Sequence, residues 1–228
     1  MSKKVAFLTI GQSPREDVFS EIIPRLSLTC QIIQAGALDD LSPEEIDRLK
    51  PQEGHLPLIT RLRNGQGVIV SREKILPLLQ AKINRLEQQE IEIIAVLCTE
   101  DFADLHSKKK LLLPFPLLKE EILKFSPSGL MVFIPLEEQR KLAEAKWRIP
   151  KIPLFIEILN PYQDFFNLNK LINKLGRREN FLLVFDCFGY SISLAQSFSE
   201  QFALPFITPR LILAQEINRL ISEIQASG

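Results

Sequence analysis

Two cysteines in this sequence each end an apolar run and precede a polar turn. Cys98 closes IEIIAVLC (91–98), and Cys187 closes FLLVFDC (181–187). A thiol at a strand end can be exposed, and neighbouring N–H groups favour its reactive thiolate form. The alternative for both is an inert, packed side chain, which is how we interpret Cys30.

Polar residues that follow the predicted strands could bind an anionic ligand. The stretch LTIGQSPRED (8–17) turns from a strand into a helix, and either Ser13 or Gln12 is predicted to cap that helix, with Pro14 in its first turn. Free N–H groups at a helix start bind a carboxylate or a phosphate. A helix cap without any ligand is the alternative interpretation.

Arginines occupy two further junctions between a strand and a helix. Arg72 follows GVIVS (67–71), and Arg210 follows the short predicted strand PFI (205–207). A guanidinium can bind a carboxylate through two parallel hydrogen bonds, although a solvated arginine is the alternative. Asp186 lies within an apolar run, so we expect it to pair with a base or to bind backbone N–H groups. The predicted ligand-binding residues are Gly11, Gln12, Ser13, Arg15, Ser71, Arg72, Thr99, Gly189, Tyr190 and Arg210.

Motif spacing and charge argue against several classes of partner. The histidines and cysteines fit no metal-ligand spacing, so no metal site is predicted. The chain lacks the glycine patterns GxGxxG and GxxxxGK[ST], and no cofactor is predicted. Lys and Arg together number 28, as do Asp and Glu, so no net charge attracts nucleic acid or an anionic membrane. The expected partner is a small anionic metabolite, and formation of a homo-oligomer is left open.

The N-terminal stretch MSKKVAFLTIGQ has an apolar part that is too short for a signal peptide or a membrane span. No other stretch reaches the roughly 18 consecutive apolar residues that indicate a transmembrane helix. We therefore expect a soluble, cytoplasmic protein.

The elements that must position these residues alternate between strands and helices. Apolar runs, most of them β-branched or aromatic, predict strands buried on both faces at VAFLTI (5–10), CQIIQAGAL (30–38), GVIVS (67–71), IEIIAVLC (91–98), GLMVFIP (129–135), IPLFIEIL (152–159) and FLLVFDC (181–187). Apolar residues at helical spacing predict helices at 72–89, 136–147, 167–177, 191–202 and 210–224. The lysine run 108–110 is interpreted as a solvated loop.

This alternation predicts an α/β protein in which βαβ units build parallel sheets. The strands suffice for one doubly wound sheet or for two four-stranded lobes. Lysines and prolines interrupt the pattern at HSKKKLLLPFPLLKEE (106–121). We therefore predict an N-terminal lobe at 1–115 and a C-terminal lobe at 116–228, with the last helix packing on either one. Ligands of such sheets bind beyond the carboxyl ends of the strands.

Three stretches, LTIGQSPR, LITRLRNGQGVIVSREK (58–74) and LLVFDCFGYS (182–191), resemble the AroM family in their order and length. More distantly, the chain resembles the aspartate/glutamate/hydantoin racemase superfamily through Cys98 and Cys187. That resemblance implies two Rossmann-like lobes with parallel sheets and a site in the cleft between them. It also implies that the two cysteines are the acid–base pair of a cofactor-independent racemase or isomerase, or of a related lyase.

Two departures from the superfamily leave other functions open. Its first loop is usually glycine-rich or carries asparagine, whereas this chain has Gln12-Ser13-Pro14-Arg15, and Asp186 replaces the usual glycine before the second cysteine. A non-catalytic protein that binds or senses a small molecule on the same fold is therefore the main alternative. A redox pair of thiols is a third, and it requires Cα atoms within about 7 Å. Whether the chain is an enzyme is left open.

Overall fold

The apolar runs of the sequence form the central strands of two parallel sheets. The structure is a computed structural model and describes residues 3–27, 30–162 and 179–226. The predicted helix at 167–177 lies outside these residues. The strands are β1 (Lys3–Thr9), β2 (Cys30–Gly36), β3 (Pro57–Arg61), β4 (Gly67–Ser71), β5 (Ile93–Leu97), β6 (Lys110–Leu112), β7 (Gly129–Ile134), β8 (Leu154–Ile158), β9 (Phe181–Phe185) and β10 (Phe206–Ile207).

Helices alternate with most of these strands. They are α1 (Glu16–Ile22), α2 (Pro43–Asp47), α3 (Arg72–Leu86), α4 (Pro114–Phe125), α5 (Arg140–Trp147), α6 (Ile192–Phe202) and α7 (Pro209–Ala226), with single 3₁₀ turns at Ile23–Arg25 and Glu137–Gln139. Within the described residues, no helix is both long and apolar enough to cross a membrane.

The chain divides into two compact units, residues 1–115 with 213–228, and residues 116–212. The sequence predicts a C-terminal lobe at 116–228 whose last helix packs on either lobe, and in the structure residues 213–228 group with the first unit. Most of α7 therefore belongs to the first unit, although about a hundred residues of the second unit separate it from the rest of that unit in the sequence.

The first unit contains a parallel sheet in the order β2-β1-β5-β6. Strand β1 pairs with β5 from Val5 opposite Ile93 to Thr9 opposite Leu97. Helix α3 packs its buried side chains Ile75, Leu79 and Ile83 into the same core as alternate residues of these strands. Their spacing of four residues places them on one face of the helix, as the sequence pattern predicts.

The second unit contains a parallel sheet in the order β10-β9-β7-β8. Every residue of β7 and β9 is buried, which explains why both sequences are continuously apolar. Three aromatic rings tie α6 to this sheet: Phe133 stacks on Phe185 with centroids 4.8 Å apart, and Phe198 meets them edge-on at 5.0 and 5.6 Å. Such offset and edge-on arrangements are the favoured ones for aromatic pairs.

The two sheets have the same topology. When the four strands of each parallel sheet are numbered in chain order, the strands lie side by side in the order second, first, third, fourth in both sheets. The predicted α/β class with two four-stranded parallel sheets is thus confirmed. This repetition is present in the strand order and is not evident in the amino-acid sequence.

One predicted strand has a different place in the fold. GVIVS was expected in a parallel sheet, but β4 pairs antiparallel with β3 in a separate two-stranded sheet, so this expectation is wrong. The loop between them closes with Leu62 N donating to Gln66 O at 2.8 Å, and Gly65 adopts a φ of +89°, which glycine tolerates. The fourth strand of the first sheet is β6 instead. It begins at Lys110, in the run interpreted as a loop.

Candidate functional site

In each sheet, the first and third strands are neighbours, and the loops that follow them leave the same edge. This edge is where open α/β sheets bind ligands. In the first unit these loops begin after Thr9 and Leu97, and in the second after Ile134 and Phe185. Sequence reasoning selected three of the four loops. It missed the one after Ile134 because Pro135 and Leu136 carry no polar side chain.

Cys98 directly follows β5 and Cys187 lies two residues after the end of β9. The two cysteines therefore follow the third strand of their respective sheets, at corresponding points of the shared topology. Both are half-buried and pack at the margin of their unit's hydrophobic core. Thr99, which is predicted to contact the ligand, is buried next to Cys98.

The loop after β1 is held by hydrogen bonds within the first unit. Neither Ser13 nor Gln12 caps α1, which begins only at Glu16, so this prediction is wrong. The backbone N–H groups of the turn all have protein acceptors: Gly11 donates to Thr9 Oγ1 at 3.2 Å, Gln12 to Arg61 O at 3.2 Å, Ser13 to Asp39 Oδ1 at 2.7 Å and Arg15 to Gln34 Oε1 at 3.0 Å. Pro14 has no N–H, so residues 11–15 offer no free backbone donor to an anion.

Asp39 is the residue that organises this loop, and sequence reasoning missed it. Its carboxylate accepts hydrogen bonds from Ser13 N and Ser13 Oγ, both at 2.7 Å, and from Gly36 N at 2.6 Å. Gln12 contributes on the other side, because its Nε2 donates to Leu38 O at 3.2 Å and its Oε1 accepts from Arg63 N at 3.1 Å. The loop after β1 is thus fixed between the loop after β2 and the β3–β4 hairpin.

Arg15 is buried, with 3% of its surface exposed, and its charge is already paired. Its Nε and Nη2 donate to the two carboxylate oxygens of Asp17, both at 2.8 Å, and its Nη1 donates to Thr9 Oγ1 at 3.4 Å. This is the bidentate geometry that was predicted for a ligand carboxylate. In the structure, a carboxylate of the protein occupies it.

Ser71 and Arg72 begin α3, and both have structural partners. Ser71 is the N-cap, since its Oγ accepts from Lys74 N at 3.2 Å. Arg72 Nη2 donates to Asp101 O at 2.9 Å and to Asp104 Oδ2 at 3.2 Å, while its Nε lies 3.4 Å from Glu100 Oε1. The structure therefore brings Arg72 to the loop that follows Cys98.

Cys187 opens a tight turn that ends at Tyr190. Tyr190 N donates to Cys187 O at 3.4 Å, and Gly189 N donates to Cys187 Sγ at 3.3 Å. A Cβ atom on Gly189 would lie 2.5 Å from Pro161 Cγ, so glycine is required here for close packing. Close packing thus explains why glycine stands at position 189, and the role of Gly189 in ligand binding stays a prediction.

Tyr190 and Arg210 are both buried in the second unit. Tyr190 Oη donates to Leu159 O at 2.6 Å. Burial raises the pKa of Tyr190 well above its ordinary value, and the nearby Cys187 and Asp186 raise it further. Arg210, at the start of α7, donates from Nε and Nη2 to Phe188 O at 3.0 and 2.6 Å.

Asp186 pairs with a base, as the sequence predicts. Lys146 Nζ donates to its two carboxylate oxygens at 2.8 and 3.0 Å, and Trp147 Nε1 donates to Oδ2 at 2.6 Å. The side chains of Lys146 and Asp186 are only 8% and 5% exposed. Sequence reasoning identified the helix that ends at Trp147 but could not assign the partner, because Lys146 is one of many lysines.

Metal-ligating side chains do not gather in the part of the chain that the structure describes. No group of three or more His, Cys, Asp or Glu residues there could hold a metal ion.

Comparison with known families decides where this chain belongs. The model of the AroM protein family matches residues 5–224, almost the entire chain. The chain belongs to the AroM family. The predicted AroM resemblance is therefore confirmed. No curated protein matches this AroM chain.

Solved structures of other proteins resemble this AroM protein in fold. Allantoin racemase from Klebsiella pneumoniae has a TM-score of 0.66 at 11% identity, covering 97% of this chain and 88% of that one. The maleate isomerase Iso from Pseudomonas putida S16 has a TM-score of 0.64 at 10% identity, covering 96% and 93%. Picrophilus torridus aspartate racemase has a TM-score of 0.61 at 15% identity, covering 95% and 93%. At these identities the similarity concerns the fold, and the predicted racemase-like fold is confirmed.

Proposed function

We propose that this AroM protein is a cofactor-independent isomerase of a small carboxylic acid, with Cys98 and Cys187 as its acid–base pair. The observation that carries the proposal is the place of the cysteines. Each of the two sheets has one half-buried thiol within two residues of the end of its third strand, at the edge where such sheets bind ligands. Two sheets of the same topology thus each carry a thiol at the corresponding position.

Two thiols can carry out both proton transfers of such a reaction. One cysteine, as the thiolate, removes the proton from the carbon beside the substrate carboxylate and becomes a thiol. The other cysteine, as the thiol, returns a proton to the opposite face of the carbanion and becomes a thiolate. The configuration at carbon is inverted, and the two sulfur atoms exchange protonation states, so the reverse reaction uses them in opposite roles.

The substrate class follows from the chemistry and from the fold. A carboxylate acidifies the neighbouring C–H bond, and the names of aspartate racemase and maleate isomerase specify small carboxylates as the molecules on which those structural relatives act. These names support the class of the substrate. A small carboxylic acid is the proposed substrate.

Deuterium exchange tests the proposal directly. The purified protein in D₂O is mixed with panels of small α-amino and α-hydroxy acids, and loss of the α-proton signal is followed by NMR. For any acid that exchanges, Cys98→Ala and Cys187→Ala should each lower the rate by about 10²- to 10⁴-fold, the usual contribution of general acid–base catalysis. Cys30→Ala is the matched control and should exchange at the wild-type rate.

Equal exchange rates in the wild type and in both site variants would eliminate the two-thiol mechanism. Loss of exchange in the Cys30 variant as well would indicate that cysteine removal damages the fold.

A second candidate is a protein that binds or senses a small anion without converting it. The departures from the racemase superfamily favour this candidate, because the first loop reads Gln12-Ser13-Pro14-Arg15 and because Asp186, before Cys187, is held in a buried ion pair with Lys146. It predicts a rise in melting temperature with one of the tested carboxylates or with inorganic phosphate. It also predicts no deuterium incorporation into the compound that stabilises the protein.

A further inference from the structure

The turn after β9 is held by a buried arginine. Arg210 Nε and Nη2 donate to Phe188 O at 3.0 and 2.6 Å, and Nη2 lies 3.5 Å from Gly189 O. Phe188 and Gly189 are the two central residues of the turn that runs from Cys187 to Tyr190. Arg210 is 1% exposed, so these carbonyl groups are among the partners that compensate its burial.

The same turn directs a backbone N–H at a sulfur atom. Gly189 N donates to Cys187 Sγ at 3.3 Å. An N–H hydrogen bond stabilises a negatively charged thiolate more than a neutral thiol. Its strength depends on the orientation of the Phe188–Gly189 peptide group, and the carbonyl oxygen of that peptide is the one that Arg210 binds most closely.

We propose that Arg210 is a positioning residue that fixes the Phe188–Gly189 peptide so that its N–H favours the thiolate of Cys187. This inference rests on the proposed function in one respect, the role of Cys187 as an acid or base. It differs from the role that the sequence predicts for Arg210, which is direct contact with the ligand. In the structure its guanidinium acts on the thiol through the backbone.

Other charged and titratable groups surround the turn. Asp186 precedes Cys187, and its carboxylate is neutralised by Lys146 from α5. Tyr190 keeps its proton because burial raises its pKa, and Tyr162 Oη lies near Gly189, 3.1 Å from where a Cβ would be. The positive charge of Arg210 acts in the same direction as the N–H group that it positions.

The test measures the reactivity of the thiol and needs no substrate. Cys187 is alkylated with iodoacetamide between pH 5 and 10, and its modification rate is obtained from peptide mass spectrometry, with Cys98 as an internal reference. Arg210→Gln should lower the rate at neutral pH about tenfold, the effect of losing roughly 1.4 kcal/mol of thiolate stabilisation. The pH midpoint of alkylation should move upward, while the Cys98 profile stays unchanged.

Two variants separate positioning from charge. Arg210→Lys keeps the positive charge but lacks the planar fork that binds adjacent carbonyl groups, so it should lose most of the Cys187 reactivity that Arg210→Gln loses, the remainder being the contribution of the charge. Arg219→Gln is the matched control, since Arg219 is an exposed arginine of the same helix that pairs with Glu216 and Glu223, and it should match the wild type. A wild-type profile in Arg210→Lys would assign the effect to charge and overturn the positioning role.

A measurement on the unmutated protein tests the proposal even if the Arg210 variants do not fold. The amide signal of Gly189 in an NMR titration should shift with the same midpoint as Cys187 alkylation, because its N–H is bound to that sulfur. A Gly189 signal that stays constant through the titration would overturn the proposal, as would a folded Arg210→Gln protein with the wild-type alkylation profile. Absence of turnover in the exchange assay would count against the proposed function only.

Discussion

At the scale of single residues, Asp186 shows how a charge is kept inside the second unit. Lys146 and Trp147 both donate to its carboxylate, and neither side chain of the ion pair is appreciably exposed. A buried pair of this kind need not be more stable than two apolar residues, but removal of one partner leaves the other charge unpaired. Loss of Lys146 should therefore destabilise the second unit as long as Asp186 is present.

Lys146→Met should lower the free energy of unfolding by about 3–5 kcal/mol, because Asp186 would remain buried without the Lys146 ammonium. Urea denaturation followed by circular dichroism measures this change. Lys141→Met, at an exposed lysine of the same helix, is the control and should stay within about 0.5 kcal/mol of the wild type. The double variant Lys146→Met/Asp186→Asn should recover part of the loss, and a further loss instead would contradict the pairing.

Tyr190 should give the protein a dependence on alkaline pH. Its pKa is raised by burial above that of the unfolded chain, so the folded state holds a proton that the unfolded state releases above about pH 10. The corresponding stability is fully present below the unfolded pKa and is lost as pH rises toward the folded pKa. The melting temperature of the wild type should therefore fall more steeply above pH 10 than that of Tyr190→Phe. Tyr162→Phe, at the other tyrosine of the chain, should keep the wild-type slope.

At the scale of elements, the central strands were the predictable part. The segments that became β1, β5, β7 and β9 are apolar at almost every position, which is required of strands covered on both faces. GVIVS has the same appearance, but Ile69 of β4 is 41% exposed while Val70 is buried, the alternation of a hairpin. A run of five residues is too short to distinguish a strand buried on both faces from a strand of a hairpin. The turn at Gly65, just before the run, is the feature that indicates the hairpin.

The strand ends that carry the candidate residues could be predicted from the sequence, but the hydrogen bonds of these residues could not. The rule for strand ends selected Cys98, Cys187 and Arg210 correctly as residues at the edges of the sheets. The partners of Arg210 are backbone carbonyl groups, which every residue possesses, so no residue type could indicate them. Asp39 was missed for the related reason that a carboxylate in a loop usually indicates a solvated residue.

At the scale of the whole molecule, α7 connects distant parts of the chain. Asn218 Oδ1 accepts from Ser27 N at 2.7 Å, and Asn218 Nδ2 donates to Arg25 O at 2.7 Å. Both partners lie just after α1 in the first unit, which is where residues 213–228 belong. The Asn218 side chain thus satisfies one donor and one acceptor of the segment after α1, which lies more than 190 residues earlier in the sequence.

Asn218→Ala should lower the free energy of unfolding by about 1–3 kcal/mol, because it removes two hydrogen bonds and leaves Ser27 N without this acceptor. Thermal or urea unfolding measures the change. Ser222→Ala is the control on the same helix, since its hydroxyl bonds only to the Asn218 carbonyl one turn away, and it should have little effect. Equal stability of the two variants would show that the helix docks without the Asn218 contacts.

The divided first unit has a consequence for how the protein is made. A ribosome delivers residues 116–212 before residues 213–228, so the second unit has its full sequence while the first still lacks most of its last helix. Domains generally begin to fold as they emerge, and an incomplete one exposes apolar surface that would otherwise be covered. The half that is translated first is therefore completed last, and during that interval it presents the kind of surface that chaperones bind.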